Sequence, residues 1–246
     1  MSTQTTFDQH TYKADLRREW REAAPGWQRW LEVLEADRAM PQLGRWLLDA
    51  AQPRPGDRLL DVGTGYGEPG LTAARAVAPG GHVTLQDLSG EMLALARGRA
   101  ASRRRAAAAG AHPAFREGDM HELPFADRSV SVITGAYAVR NAPDLRATIA
   151  EIRRVLRPGG RLALLEFSRS ARPRVSALQI RLLRFWGRLW GRIIHRDAEV
   201  YGYIADSLAA FPHLPALEQA LRETGFTDVR SRRYMFGLLA ITHAAG

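Results

Sequence analysis

The spacing of apolar and polar positions divides the 246-residue chain into a helical front, an alternating middle and a helical return closed by two strands. Over residues 13–50, Leu16, Trp20, Trp27, Trp30, Leu31, Leu34, Leu43, Trp46 and Leu47 recur at helical intervals, and breaks at Pro25-Gly26 and Met40-Pro41 predict two or three short helices. From Arg58 the period changes. Short apolar runs predict strands over 58–62, 82–86, 113–116, 130–135 and 161–167, and helical patterns fall between them at 69–78, 89–109 and 143–156. Helices follow over 173–194, 197–210 and 214–224, and two last strand-like segments, 227–233 and 235–243, predict an antiparallel hairpin on the sheet's edge. Strands alternating with helices call for a parallel sheet covered on both faces. The expected fold is therefore doubly wound α/β with a mostly parallel seven-stranded, Rossmann-like sheet. Residues 1–52 read as a helical N-terminal cap, and residues 53–246 as the α/β domain with a helical lid insertion over about 172–225.

Composition narrows the classes. A 46% hydrophobic and 25% charged chain is ordinary for a globular protein, and the absence of cysteine excludes disulfides, thiolate nucleophiles and Cys-ligated zinc. No stretch approaches the roughly 20 apolar residues that span a bilayer, and the first residues lack a signal-peptide core, so the expected location is cytoplasmic. The net charge of +9 raises a nucleic-acid partner. Lys13 is the only lysine, however, and the arginines are scattered along the chain, which is simpler as compositional bias; no specific nucleic-acid contact is expected.

The first chemistry lies in LLDVGTGYGEPG, residues 59–70, where a strand runs into a loop carrying Gly63, Gly65 and Gly67 and then a helix opened by Pro69. Glycines at alternate places let backbone approach a ligand closely. Gly65, Gly67 and Gly70 also satisfy the dinucleotide pattern G-x-G-x-x-G, but Asp61 argues against a pyrophosphate, whose charge it would repel. S-adenosylmethionine carries a sulfonium and an ammonium instead, and a carboxylate here attracts both. The alternative for Asp61 is a cap on the loop or the following helix. Asp87, with Leu88 beside it, ends the second strand at the sheet's C-terminal edge, where it could accept both ribose hydroxyls; its alternative is an N-cap, for which Ser89 is the better candidate. Asp119 and Met120 follow the third strand, placed to meet an adenine amino group, while the neighbouring His121 reads as a solvated loop residue. No metal site is expected.

In order and spacing, LLDVGTGYG, Asp87, GDMHELPF, VITGAYAVRNAPD and RRVLRPGGRLALLEFS resemble a class I S-adenosylmethionine-dependent methyltransferase. More narrowly, YAVRN, LEFSRS and DAEVYGYIADSLAAFP followed by GF are similar to the UbiE-like C-methyltransferases of ubiquinone and menaquinone biosynthesis, over about residues 57–243. The resemblance implies that Asp61, Gly63, Gly65 and Gly67 hold the methionine part of the cofactor. It further implies Asp87 at the ribose, Asp119 and Met120 at the adenine, and Ala136 at the end of the fourth strand. Arg140 and Asn141 match the family's substrate-facing Arg-Asn pair, and Tyr201, Tyr203 and Ser207 its Tyr-x-Tyr and following Ser. The chain departs from the family pattern at its start, where a Trp-rich segment over 20–30 replaces the usual motif, and at Phe211, where a His is usual.

The resemblance implies methyl transfer to a small aromatic or quinol-like acceptor at ring carbon, with O- or N-methylation, cofactor binding without transfer, and RNA methylation as alternatives of decreasing weight. A ring carbon becomes nucleophilic as its hydroxyl ionises, so the permanently cationic Arg140 suits stabilisation of a phenolate; its alternative is a surface arginine at a strand exit. Tyr137, Tyr201 and Tyr203 suit either an aromatic acceptor site or a core. Over 178–194, Arg181, Arg184, Arg188 and Arg192 share one helical face while Leu182, Phe185, Trp186, Leu189, Trp190 and Ile193 share the other. That pattern is a lid packed on the domain by its apolar face, or a helix lying in a membrane interface; the lid is the simpler reading.

Overall fold

The computed structural model describes residues 17, 18, 21, 39–106, 112–190, 192 and 202–246. The predicted front helices before residue 39 and the segment 193–201, with Tyr201, lie outside these residues. The seven strands are β1 (Arg58–Val62), β2 (His82–Asp87), β3 (Ala114–Glu117), β4 (Val130–Ala136), β5 (Leu156–Phe167), β6 (Thr227–Tyr234) and β7 (Leu239–Ala245). They form one sheet in the order β3-β2-β1-β4-β5-β7-β6. The first five pair in parallel, and β7 enters antiparallel between β5 and β6. The sheet thus bears out the expected doubly wound class with its terminal hairpin.

Alternation along each strand builds the core on both faces. Leu60, Ile133, Leu162 and Leu164 point to one side, under helices α4 (Leu145–Val155) and α7 (Leu214–Glu223), together with Ile149, Ile152, Leu217 and Leu221. Leu59, Val132, Ala163 and Leu165 point to the other, with Leu71, Ala73 and Ala74 of α2 (Gly70–Ala76) and Ala100 of α3 (Gly90–Ala106). Helix α1 (Ala39–Ala51) joins this second layer through Leu43, Leu47 and Ala51, although the sequence groups it with the N-terminal cap. Phe211, the departure from the family's His, is buried in the first layer.

Three local expectations are corrected. Met40-Pro41 does not break a helix: α1 starts at Ala39, so Pro41 lies in its first turn, where a missing N–H costs nothing. The fifth strand begins at Leu156 rather than 161, because RPGG is a bulge within the ladder: Leu156 pairs with Val130 and Arg161 with Val132, with Gly159 at φ +69°. The last strand starts at Leu239 rather than 235, since Met235, Phe236 and Gly237 all have positive φ and form the hairpin tip.

Candidate active site

The functional edge is where β1, β2, β4 and β5 end. Asp61 is fully buried next to the end of β1, opposite Thr134 of β4. One carboxylate oxygen accepts the Thr134 hydroxyl at 2.6 Å; the other accepts the Thr64 hydroxyl at 2.6 Å and the Gly70 N–H at 3.3 Å. Asp61 therefore ties the glycine loop to both its neighbouring strand and the start of α2, the capping task that the sequence left as its alternative. Burial pushes its carboxyl up to about 7, against the hydrogen bonds of Thr134, Thr64 and Gly70, which act the other way.

The loop glycines are required by the protein more than by an approaching ligand. A Cβ on Gly63, at φ +58°, would stand 2.5 Å from the Ala138 Cβ, with Met120 Cε 3.7 Å away. The first loop, the Asp119-Met120 loop and the exit of β4 therefore converge at that point. Gly65 is more open: its Cβ would meet only Met92 Cε, at 3.5 Å, so its positive φ of +55° is what favours glycine there. Pro69 precedes the helix rather than lying in it.

Asp87 bridges two loops. Its carboxylate accepts the Gly65 N–H at 2.7 Å with one oxygen and the Ser89 N–H at 2.9 Å with the other, and burial raises its pKa. Ser89, not Asp87, caps α3, accepting the Met92 N–H at 3.2 Å. Among the described residues no arginine is bonded to Asp61 or Asp87, whereas the other two buried acids, Asp57 and Glu166, pair with Arg161 and Arg140. Leu88 follows Asp87 at the strand exit, and Ala136 ends β4.

The third loop is held by a residue misread from sequence. His121 is not a solvated side chain but only 9% exposed. Its Nδ1 lies 2.9 Å from Asp119 Oδ1, which also accepts the His121 N–H, and its Nε2 lies 3.1 Å from both the Thr148 hydroxyl and the Asp144 carbonyl. His121 thereby fastens the Asp119-Met120 loop to the first turn of α4. An imidazole that meets partners on both ring nitrogens could not have been recognised before Thr148 was brought to it.

The fourth cluster surrounds Arg140, in a 3-10 turn over Val139–Asn141 after β4. Its side chain is 2% exposed, which rules out the surface-arginine alternative. Nη1 donates to the Tyr137 carbonyl at 2.8 Å and to Glu166 at 3.4 Å, and Nε donates to the Ser207 hydroxyl of α6 (Gly202–Ala210) at 3.2 Å. Asn141 donates to the same Tyr137 carbonyl at 3.2 Å. Tyr137, at φ +57°, turns the chain so that its carbonyl faces this pair, and its ring lies 5.1 Å from that of Phe167. Tyr203 belongs to α6, one turn before Ser207.

Glu166 is the functional candidate that sequence reasoning missed. It is fully enclosed at the end of β5, accepts the Arg140 N–H at 3.3 Å as well as the guanidinium, and has its pKa raised by burial against the pull of Arg140. The signal was present: a glutamate inside the apolar run LALLEF must be paired to be buried.

The profile of the ubiE/COQ5 methyltransferase family matches residues 42–246. The chain belongs to that family. It is 37% identical over 198 residues to the ubiquinone/menaquinone biosynthesis C-methyltransferase UbiE of Bradyrhizobium diazoefficiens, covering 79% of this chain and 77% of the relative. The UbiE of Paracoccus denitrificans is 36% identical over 197 residues, covering 79% and 76%. Among solved structures, a SAM-dependent methyltransferase from Aquifex aeolicus shares the fold with a TM-score of 0.59 at 17% identity, covering 82% of this chain and 88% of that one. A Haemonchus contortus phosphoethanolamine N-methyltransferase bound to S-adenosylhomocysteine does so at 0.60 and 17% identity, covering 83% and 52%. As a member of the ubiE/COQ5 family, the chain is an S-adenosylmethionine-dependent methyltransferase acting on a small molecule.

The residues fit that cofactor. Two buried carboxylates with no basic partner among the described residues, at the mouth of a parallel sheet, suit a ligand that brings its own positive charge.

Proposed function

We propose that this enzyme methylates a ring carbon of a quinol-like aromatic acceptor. The observation carrying the reading is the buried Arg140–Glu166 pair, set between the Tyr137–Phe167 rings and the helix that bears Ser207. S-adenosylmethionine supplies an activated methyl on a cationic sulfur, so the protein's task is alignment and ionisation of the acceptor. Gly63, Gly65 and Gly67 shape the loop against the methionine portion, with the Asp61 charge behind it. Asp87 keeps lone pairs for two ribose hydroxyls beyond the Gly65 and Ser89 amides, since an ionised carboxylate offers about four acceptor sites. Leu88, Asp119 and Met120 bound the adenine side, and Ala136 closes the floor.

On the acceptor side, Arg140 stabilises the oxygen of a ring hydroxyl that gives its proton to water, exchanging its Ser207 bond for it, and the methylated ring carbon likewise loses its proton to water as the ring regains aromaticity. Glu166 is a positioning residue that holds the guanidinium in place and moderates its charge. Asn141 fixes the shared Tyr137 carbonyl, and the Tyr137 ring beside Phe167 supplies aromatic surface. Both relatives are named as C-methyltransferases of ubiquinone/menaquinone biosynthesis, which supports ring carbon over oxygen or nitrogen. The experiment is incubation with S-adenosylmethionine and a panel of quinols and phenols, read by mass for an added methyl and by fragmentation for its position. Methylation confined to oxygen or nitrogen, or to no phenolic acceptor, rejects the reading.

Asp61 makes cofactor affinity pH-dependent. Between its ordinary value of 3.8 and about 7 the folded protein keeps the proton that the unfolded chain has lost, so the residue's contribution to stability declines as pH rises through about 7. A cationic ligand favours the ionised form, which reverses the sign for binding. Calorimetric affinity for S-adenosylmethionine is expected to rise from about pH 6 to about pH 8 and then level. Asp61→Asn should flatten that rise; an unaltered profile would remove Asp61's charge from cofactor binding.

A further inference from the structure

Helix α5 (Pro173–Trp190) does not pack as its amphipathic pattern led us to expect. The residues turned toward the protein are Ser176, Ile180, Leu183 and Gly187, while Leu182, Phe185 and Trp186 are 48%, 60% and 50% exposed, and Val175, Leu178 and Leu189 share their face. An apolar stripe of this size on a solvated helix calls for a partner. Beside it runs a second stripe, Arg174, Arg181 and Arg188, spaced by seven residues and exposed. Arg184 lies nearer the body and pairs with Asp206 at 2.5 Å. Residues 173–190 contain no aspartate or glutamate.

The hairpin tip adds to this surface. Met235 and Phe236 are exposed, Phe236 completely, and the tip is tied to the segment leading into α5 by the Ser168 N–H donating to the Leu238 carbonyl at 2.8 Å. Both features therefore sit at the C-terminal edge of the sheet, the edge that carries the site.

We propose that the exposed face of α5, together with the 235–238 tip, rests on an anionic lipid bilayer, with the apolar stripe in the interface and the arginine stripe against the headgroups. Bulky apolar side chains flanked by arginine, with no acid on the helix, have the composition of an interfacial helix. Association of two copies through this face in an antiparallel symmetric pair would set arginine stripe near arginine stripe, which disfavours that occupant. No described helix is long and apolar enough to cross a membrane, so the contact is peripheral. The inference extends the reading of a quinol-like acceptor, since an acceptor with a lipid tail would be presented at this edge, but its test needs no acceptor.

The full-length protein is mixed with acceptor-free vesicles of phosphatidylcholine, with or without phosphatidylglycerol, and floated on a density gradient. Co-flotation with the anionic vesicles is expected, falling roughly tenfold or more in Leu182→Glu/Phe185→Glu and falling toward the phosphatidylcholine level in Arg174→Gln/Arg181→Gln/Arg188→Gln. Unchanged calorimetric binding of S-adenosylmethionine shows that the variants are folded. Failure of the wild-type protein to float, equal flotation of the Glu variant, or a lipid-free dimer dissociated by Phe185→Glu would each overturn the proposal. Flotation without methylation of any quinol would reject the acceptor reading and leave this one standing.

Discussion

Asp87→Ala is expected to weaken S-adenosylmethionine binding by about a hundredfold or more. The Gly65 and Ser89 amides, with a further backbone hydrogen bond from Leu88, orient the carboxylate without filling its acceptor capacity. Hydrogen bonds to a charged group contribute about 1.5–3 kcal/mol each, so two ribose hydroxyls losing their acceptor corresponds to roughly two decades or more of affinity. The same substitution strips two buried amides of their acceptor and releases the glycine loop from the β2 exit. Asp87→Asn keeps one carbonyl oxygen and should fall between the two. Titration calorimetry reads both variants, and an affinity within threefold of wild type for Asp87→Ala would place the ribose elsewhere.

Glu166→Gln should lower turnover by about two orders of magnitude while sparing cofactor affinity. Glutamine keeps the shape of the side chain but leaves Arg140 as an unbalanced charge in an enclosed site, and breaking such a pair costs about 3–5 kcal/mol of stability. The guanidinium keeps the Tyr137 carbonyl and Ser207 bonds it already makes but loses the carboxylate that holds it, and is no longer aimed at the acceptor oxygen. A purely structural role would lower the melting temperature and leave kcat of the folded fraction intact. Pairing Glu166→Gln with Arg140→Met separates the two effects: removing both charges should recover much of the stability and none of the turnover. Near-normal kcat in Glu166→Gln would mean that the pair only holds β4 to β5.

Much of this arrangement is legible along the chain, and what is not has a common cause. The strands were legible because burial on both faces makes each a short apolar run, and Asp61, Asp87 and Asp119 stand out where those runs stop. The Arg140–Glu166 pair was half legible: its arginine belongs to a recognisable motif, while its glutamate, 26 positions later, reads as one more residue of a strand. His121 was misread because both of its ring partners come from elsewhere, Asp119 by a turn and Thr148 by the packing of α4. Helix α5 shows the converse. Its period correctly foretold an amphipathic helix, but period alone does not say which face the domain will take, and here the body takes the narrower one.

Local order of residue types was enough for the class of fold and for three acids where its strands stop, because hydrophobic periodicity and strand-end chemistry are short-range properties. Only the folded arrangement decided that Asp61 is a buried tie as well as a charge, that Arg140 is balanced rather than free to meet solvent, and that α5 leaves its bulkiest side chains uncovered. Each of those depends on which distant segment fills the neighbouring space, and the low dielectric of that space then sets how strongly a charge there acts.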